Sequence, residues 1–372
     1  MSALKHTLNG FAIVLSTLLL CLLCLHLYVR ECREEGQPAR LLQGIDVFQS
    51  YFRDENFDEL LRAIDVFEEE EGHFSALANT EQVALMKKSL FLPLPAQGRA
   101  SYRYKPNIRI IHASVWNGLA VTTLHVPYNE SLLEHLAKLK VYYQELMFET
   151  DEFGFRKTDF RVDSKTPAIL FLGDSFTEGV NVPSERTFSN FIGHFLKQAN
   201  TPLLPINMGA TGYGVYDMAA LLRFHKGKFN GKIAVANLFP NDVSKDFLKA
   251  LRKDGVPEER YQTLLEELNE LKQAALDSQV SLIISLIPVK EQLGTDNDSG
   301  YFQQRVKLWC VENEIPCLDP LPFFKALGAE EIYFSWDIHF SQKGHRRYAE
   351  FLAVELKDLL PEKPTPASEM GP

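Results

Sequence analysis

From Thr166 onward the chain alternates between short apolar runs and longer amphipathic stretches, and few folds accept that order. The runs Ala168–Leu172, Leu203–Asn207, Lys232–Leu238 and Val280–Pro288, with a shorter one at Pro316–Asp319, have the length of strands. Helix patterns occupy Ser184–Gln198, Tyr213–Lys226, Pro257–Ser278, Gly300–Asn313 and Gln342–Leu360, with Ser184 as a candidate N-cap. Repeated β-α-β order predicts a parallel sheet covered by helices, because parallel neighbours need right-handed crossovers that lay helices on the sheet. Ligands of such open sheets bind beyond the carboxyl ends of the strands. The loops that follow the apolar runs are therefore where chemistry is to be sought.

The remaining 160 or so residues divide differently. From His6 to Val29 there is no Lys, Arg, Asp or Glu, which is long enough for a helix to cross a bilayer. The run passes directly into Arg30-Glu31-Cys32-Arg33-Glu34-Glu35 with no small-residue cleavage site, so an uncleaved anchor is expected rather than a signal peptide. Large domains translocate largely regardless of flanking charge, and the body is expected on the extracytoplasmic, periplasmic side. An amphipathic pattern runs through Ile45, Phe48, Phe52, Leu60, Leu61, Ile64 and Phe67, and the acidic run Glu68–Glu71 reads as a solvated helix end. Leu92 to Gly98 reads as a linker, Ile108–Ile111 and Leu119–Leu124 as strands about Asn117-Gly118, and Leu132–Tyr143 as helical. The expected organisation is an anchor over residues 1–30, a helical and β accessory region over 31–160, an α/β domain over 161–360 and a Pro-rich disordered tail over 361–372.

A net charge of −10 and the lack of any basic stripe exclude a nucleic-acid surface. No Walker-type phosphate loop occurs, and no His/Cys spacing predicts a metal, so neither cofactor nor metal is expected. Cys310 and Cys317 can pair in an oxidising compartment or remain two buried thiols.

The first apolar run ends in Gly173-Asp174-Ser175-Phe176-Thr177-Glu178-Gly179. Ser175 stands where a nucleophile would be useful, although a serine in a strand-to-helix turn also serves as a cap. Acyl transfer by serine needs a base, a group that orients the base, and donors for the oxyanion. His339, just before the last helix pattern, is the candidate base, and Asp337 lies close enough to orient it. Asn241 follows the third run in Phe239-Pro240-Asn241-Asp242 and can direct its amide into the same crevice. Asn207-Met208-Gly209-Ala210-Thr211-Gly212 closes the second run, and its glycines free backbone N–H groups to face an anion. Each of these pieces alone also reads as an ordinary turn. His345, early in the last helix pattern, is a back-up base or a packing residue, and His194 and His225 read as structural.

Together the four blocks, in this order, resemble those of the SGNH/GDSL hydrolase superfamily. The lead-in Thr150-Asp151-Glu152-Phe153-Gly154-Phe155-Arg156 is similar to what precedes the first block in membrane-anchored, extracytoplasmic members. The resemblance implies a flavodoxin-like three-layer α/β/α sheet, the SGNH hydrolase fold. It implies Ser175 as nucleophile, His339 as base and Asp337 as its orienting acid. It implies an oxyanion hole from the backbone N–H groups of Ser175 and Gly212 and the side chain of Asn241. Two departures stand out. Phe239 occupies the place where the third block usually begins with glycine, and is expected to narrow the crevice. Asp337 lies two residues before His339, whereas many members place it three before and Trp336 holds that position here. The shorter spacing resembles the branch containing polysaccharide O-acetyltransferases. The expected function is hydrolysis of acyl, above all acetyl, esters of a cell-envelope glycan or lipid. Transfer of the acyl group to a polysaccharide and a catalytically silent assembly role are the alternatives. A flavodoxin-like nucleotide-binding reading is weaker, because Asp174 and Glu178 would repel phosphate.

Overall fold

The computed structural model of the chain describes residues 90–94, 101–116, 121–128, 147–201, 203–294, 300–335, 337–357 and 359. The predicted anchor, the amphipathic stretch over 45–67, the acidic run, the helical spacing over 132–143 and the tail lie outside these residues. Among the described residues no helix is long and apolar enough to cross a membrane. The chain divides into two compact units, of which the first comprises Met1–Ile64, Ala113–Leu124 and Asn129–Tyr143. The second comprises Asp65–His112, His125–Tyr128 and Gln144–Pro372.

Strands β1 (Phe91–Leu94) and β2 (Ser101–Tyr104) form an antiparallel pair with Pro93 opposite Tyr102. The expected linker thus begins as a strand. Pro93 is tolerated because each strand of a two-stranded sheet has a free edge, and Leu90 and Leu94 are buried in the larger core. Strands β3 (Arg109–Trp116) and β4 (Val121–Pro127) occupy the predicted positions about Asn117-Gly118, and β3 pairs with β5 (Met147–Glu149).

The predicted parallel sheet is present. Strands β6 (Pro167–Leu172), β7 (Leu204–Asn207), β8 (Asn230–Leu238), β9 (Ser281–Leu286) and β10 (Cys317–Leu318) lie in the order β10-β9-β8-β6-β7, all pairs parallel. Counted from β6, this is the flavodoxin-like order 2-1-3-4-5 seen from the far edge. The helices are α1 (Ser175–Glu178), α2 (Phe188–Gln198), α3 (Val215–Phe224), α4 (Phe247–Ala250), α5 (Glu258–Asp277), α6 (Tyr301–Glu312), α7 (Leu321–Leu327), α8 (Ala329–Ile332) and α9 (Gln342–Glu355). Cys310 and Cys317 are free thiols.

Alternation along the strands builds the three layers, since successive side chains point to opposite faces. Ala168, Leu170 and Leu172 of β6, with Ala234, Ala236 and Leu238 of β8, enter one core with Met218 of α3, Leu264 and Leu268 of α5 and Phe302 of α6. Ile169, Phe171, Ile233 and Val235 enter the other core with Phe188 and Ile192 of α2 and Tyr348 and Leu352 of α9. Each fully buried Leu, Ile, Val, Met or Phe among them contributes about 1.5–3 kcal/mol relative to exposure. Tyr104, Phe148 and Phe155 join the first of these cores, so β2 and β5 are packed with the α/β domain.

Helix boundaries differ where side chains compete for the cap. Ser184–Arg186 is a 3₁₀ turn, and α2 starts at Phe188 because Thr187 accepts from Asn190 N. The short helices α1, α4, α7 and α8 carry too few residues for a 3.6 period to be read in the sequence.

Candidate active site

The chain leaves β6 toward β7 on one side and later reaches β8 on the other, so β6 and β8 flank the topological switch point of the sheet. The loops after these two strands carry Ser175 and Asn241. Gly173 has φ of +155°, and a Cβ there would stand 2.1 Å from Thr177 Oγ1, so the turn requires glycine. Asp174 caps α1 by accepting from Phe176 N at 3.0 Å through Oδ1. Ser175 is consequently the first residue of α1, with Phe176 beneath it packed on Phe239 and Phe340 at ring distances of 4.6 and 5.0 Å.

The predicted base and acid reach this turn from the loop between α8 and α9. His339 Nε2 lies 2.8 Å from Ser175 Oγ, and His339 Nδ1 lies 3.0 Å from both carboxylate oxygens of Asp337. With Nδ1 protonated toward Asp337, Nε2 is placed to accept a hydrogen bond from the Ser175 hydroxyl. Burial pulls the His339 imidazole pKa down, but the charge and hydrogen bond of Asp337, with Asp174 and Glu178 behind them, outweigh it and leave His339 above the usual histidine value. Burial likewise favours a neutral Asp337, yet His339 and the backbone N–H groups of Ile338 and His339 hold its carboxyl below the usual range. Lys290 on the far side donates to the carbonyls of Phe334 and Ser335 and secures the loop's entry.

Asn241 is tied to the serine turn through Asp174. Its Nδ2 donates to Asp174 Oδ2 at 3.0 Å, which uses one of its two amide hydrogens. Burial pushes the Asp174 carboxyl up, while Asn241 and Phe176 N pull against it. Gly212, with φ of +81°, lies on the loop after β7. The loop carrying it docks on α1, with Asn207 Nδ2 donating to Thr177 O at 2.8 Å and Thr211 N donating to Glu178 Oε2. Gly209 packs so closely that a Cβ would stand 2.4 Å from Glu178 N.

Phe239 does not narrow the crevice as expected. Its ring is buried beneath the site between Phe176 and Phe247, because β8 delivers position 239 to the face lined by the second core. His345 is no back-up base. It is buried in stacking contact with Phe188, its Nδ1 accepts from Phe188 N at 3.2 Å, and burial lowers its pKa to about 3. His194 pairs with Asp159 on the surface and His225 is enclosed by Phe155, Phe224 and Phe229, both away from Ser175.

Sequence reasoning missed two supporting residues. Asn181 Nδ2 donates to Asp337 Oδ2 at 2.6 Å from a left-handed position (φ +65°). Arg156, buried, donates to the carbonyls of Gly179 at 2.7 Å and Val182 at 2.6 Å and shapes the turn that presents Asn181. Only the Asn after Gly179-Val180, a residue type that tolerates positive φ, hinted at the first.

Residues 171–347, just under half of the chain, match the GDSL-like Lipase/Acylhydrolase family. No curated protein matches the sequence. Among solved structures, the chain is similar to TesA (17% identity, TM-score 0.42, covering 52% of this chain and 99% of that one). It is similar to the lipase/acylhydrolase from Enterococcus faecalis (17% identity, TM-score 0.40, 54% and 100% covered). The psychrotrophic esterase EstA from Pseudoalteromonas sp., inhibited by monoethylphosphonate, is a third (13% identity, TM-score 0.39, 50% and 96% covered). Residues 171–347 thus carry a GDSL-like lipase/acylhydrolase domain, and that match supports hydrolysis of an ester bond.

Proposed function

We propose that Ser175 is the nucleophile of a serine esterase that removes short acyl groups, acetyl above all, from a cell-envelope glycan or lipid. The observation that carries the reading is the unbroken chain from Ser175 Oγ through the His339 ring to the Asp337 carboxylate, with links of 2.8 and 3.0 Å. Ser175 Oγ attacks the ester carbonyl carbon as its proton passes to His339 Nε2, and the carbonyl oxygen becomes an oxyanion. The N–H groups of Ser175 and Gly212 and the second hydrogen on Asn241 Nδ2 receive that charge. Collapse breaks the C–O bond, and the departing alcohol takes the proton from Nε2. Water then attacks the acyl-enzyme, gives its proton to His339, and release of the acid returns the proton to Ser175.

A sugar hydroxyl in place of water would make the same acyl-enzyme an O-acyltransferase. The two-residue spacing of Asp337 and His339 favours keeping this second reading. The charge-free run over residues 6–29 supports a single-pass anchor, and placing the domain outside the cytoplasm is the further part of the proposal. Release of the chain from membranes by alkaline carbonate would overturn the anchor.

The full chain is expected to hydrolyse p-nitrophenyl acetate and to be labelled by a fluorophosphonate at Ser175, with both lost in Ser175→Ala. Undiminished turnover by that variant would remove Ser175 from the chemistry. Acetyl transfer to an oligosaccharide faster than hydrolysis would instead select the transferase.

A further inference from the structure

The loop that carries Gly212 contains a turn whose central peptide can face either of two ways. Tyr213 N donates to Ala210 O at 3.1 Å, closing a four-residue turn over Ala210-Thr211-Gly212-Tyr213. Gly212, third in the turn, has φ of +81°, while Thr211 is not among the residues with positive φ. A positive φ at the third position alone is the mark of a type II turn. Rotating the peptide between Thr211 and Gly212 by about half a turn converts type II to type I, and the end residues need not move. In a trans peptide the C=O and N–H point in opposite directions. Whatever holds the Thr211 carbonyl therefore also aims the Gly212 N–H.

The group that holds it comes from outside the segment matching the family. Tyr102, in the middle of β2, donates from its hydroxyl to Thr211 O at 2.6 Å. Its ring is fixed edge-on between Phe91 (4.7 Å) and Tyr213 (5.2 Å), and the Tyr213 hydroxyl donates back to Tyr102 O. The preceding peptide is pinned separately, since Thr211 N donates to Glu178 Oε2 and Tyr104 of the same strand donates to Glu178 Oε1 at 3.4 Å. Glu178 thus fixes one side of Thr211, and Tyr102 fixes the side that leads to Gly212.

We infer that Tyr102 is a positioning residue that locks the Ala210–Tyr213 turn in its type II form and thereby directs the Gly212 N–H at the substrate oxyanion. This rests on the reading of Gly212 as an oxyanion donor. It gives β2 a task in the reaction that the family segment does not supply for itself. With the hydroxyl gone, the Thr211–Gly212 peptide samples both orientations, and a fraction of molecules present a carbonyl oxygen where a donor is needed.

The test compares the full-length wild type with Tyr102→Phe, using p-nitrophenyl acetate and an alkylboronic acid, whose serine adduct places an oxygen at the oxyanion position. Losing a complete oxyanion donor costs roughly 10²–10³ in kcat, so partial misdirection is expected to lower kcat about tenfold with KM little changed. The boronate inhibition constant should rise in parallel. Ser101→Ala is the control on the same strand, because it removes the 2.6 Å bond from Ser101 Oγ to Asp217 Oδ1 and no hydrogen bond to the Ala210–Tyr213 residues. It should lose stability without losing kcat. A folded Tyr102→Phe with wild-type kcat and boronate affinity overturns the inference while the esterase reading stands. Equal losses of kcat in Tyr102→Phe and Ser101→Ala also overturn it, since strand docking alone would then explain both. Full activity in Ser175→Ala would sink the esterase reading itself, and the inference with it.

Discussion

Asn181 Nδ2 and Asp337 Oδ2 meet at 2.6 Å although 156 positions separate them in the chain. The bond ties the turn after the nucleophile helix to the loop that carries the base. Asn181 shares Asp337 Oδ2 with His339 Nδ1, while Ile338 N donates to Oδ1.

Losing this bond should cost activity more than stability. Asn181→Ala removes one hydrogen bond to a charged group, worth about 1.5–3 kcal/mol, so kcat is expected to fall about tenfold or more. Asn181→Asp sets a second carboxyl at hydrogen-bond distance from Asp337, where two like charges cannot both ionise, so the pair shares a proton and kcat should fall at least as far as in Asn181→Ala. Wild-type kcat in both variants would remove Asn181 from the relay.

The wild-type profile should itself inflect above the ordinary histidine value of 6.5, because His339 is held upward and must be neutral to act as a base. Activity is low below the His339 pKa and rises as the pH passes through it. Asp337→Asn should lower kcat by roughly 10³–10⁴ and shift the limb toward acid. A limb that stays in place would show that Asp337 does not set the charge on His339.

His225 and His345 predict acid instability. Burial lowers each to about 3 from an ordinary value of 6.5. Between those values the unfolded chain binds more protons than the native one, so stability is greatest above 6.5 and falls as the pH drops toward 3. Both ring nitrogens of His225 are buried with no hydrogen-bond partner among the described residues. His225→Phe should therefore gain about 1–3 kcal/mol at neutral pH and more at pH 5, measured by urea denaturation. An equal gain at both pH values would contradict the titration.

Arg156→Lys should destabilise by about 2–4 kcal/mol, since an ammonium cannot reach the carbonyls of Gly179 and Val182 together as the planar guanidinium does. Thermal unfolding indistinguishable from wild type would show that the turn does not depend on this fork.

The sheet was legible because its strands are short, continuous and buried on both faces, and the helices between them keep a 3.6 period. The linker and Phe239 were misread for a common reason. Pro93 and Phe239 are local irregularities whose meaning depends on what lies across from them, Tyr102 in one case and the Phe176 and Phe247 rings in the other. Ser175, His339 and Asp337 could be proposed as nucleophile, base and acid because each stands in a loop after an apolar run or before a helix, and because the four blocks together resemble a known family. Asn181, Arg156 and Tyr102 could not, since a side chain that supports a loop from a distant element leaves no periodic trace.

The order of elements and the parallel sheet follow from the sequence alone, because hydrophobic periodicity and turn chemistry are local properties, and the resemblance of the ordered blocks singled out Ser175, His339, Asp337 and Asn241 as candidates. Only the tertiary structure decided that His339 reaches Ser175, that Phe239 lies beneath the site, and that β2 holds the Gly212 turn. Those relations join residues many tens of positions apart, and hydrogen-bond distance exists only once the strands have been set side by side.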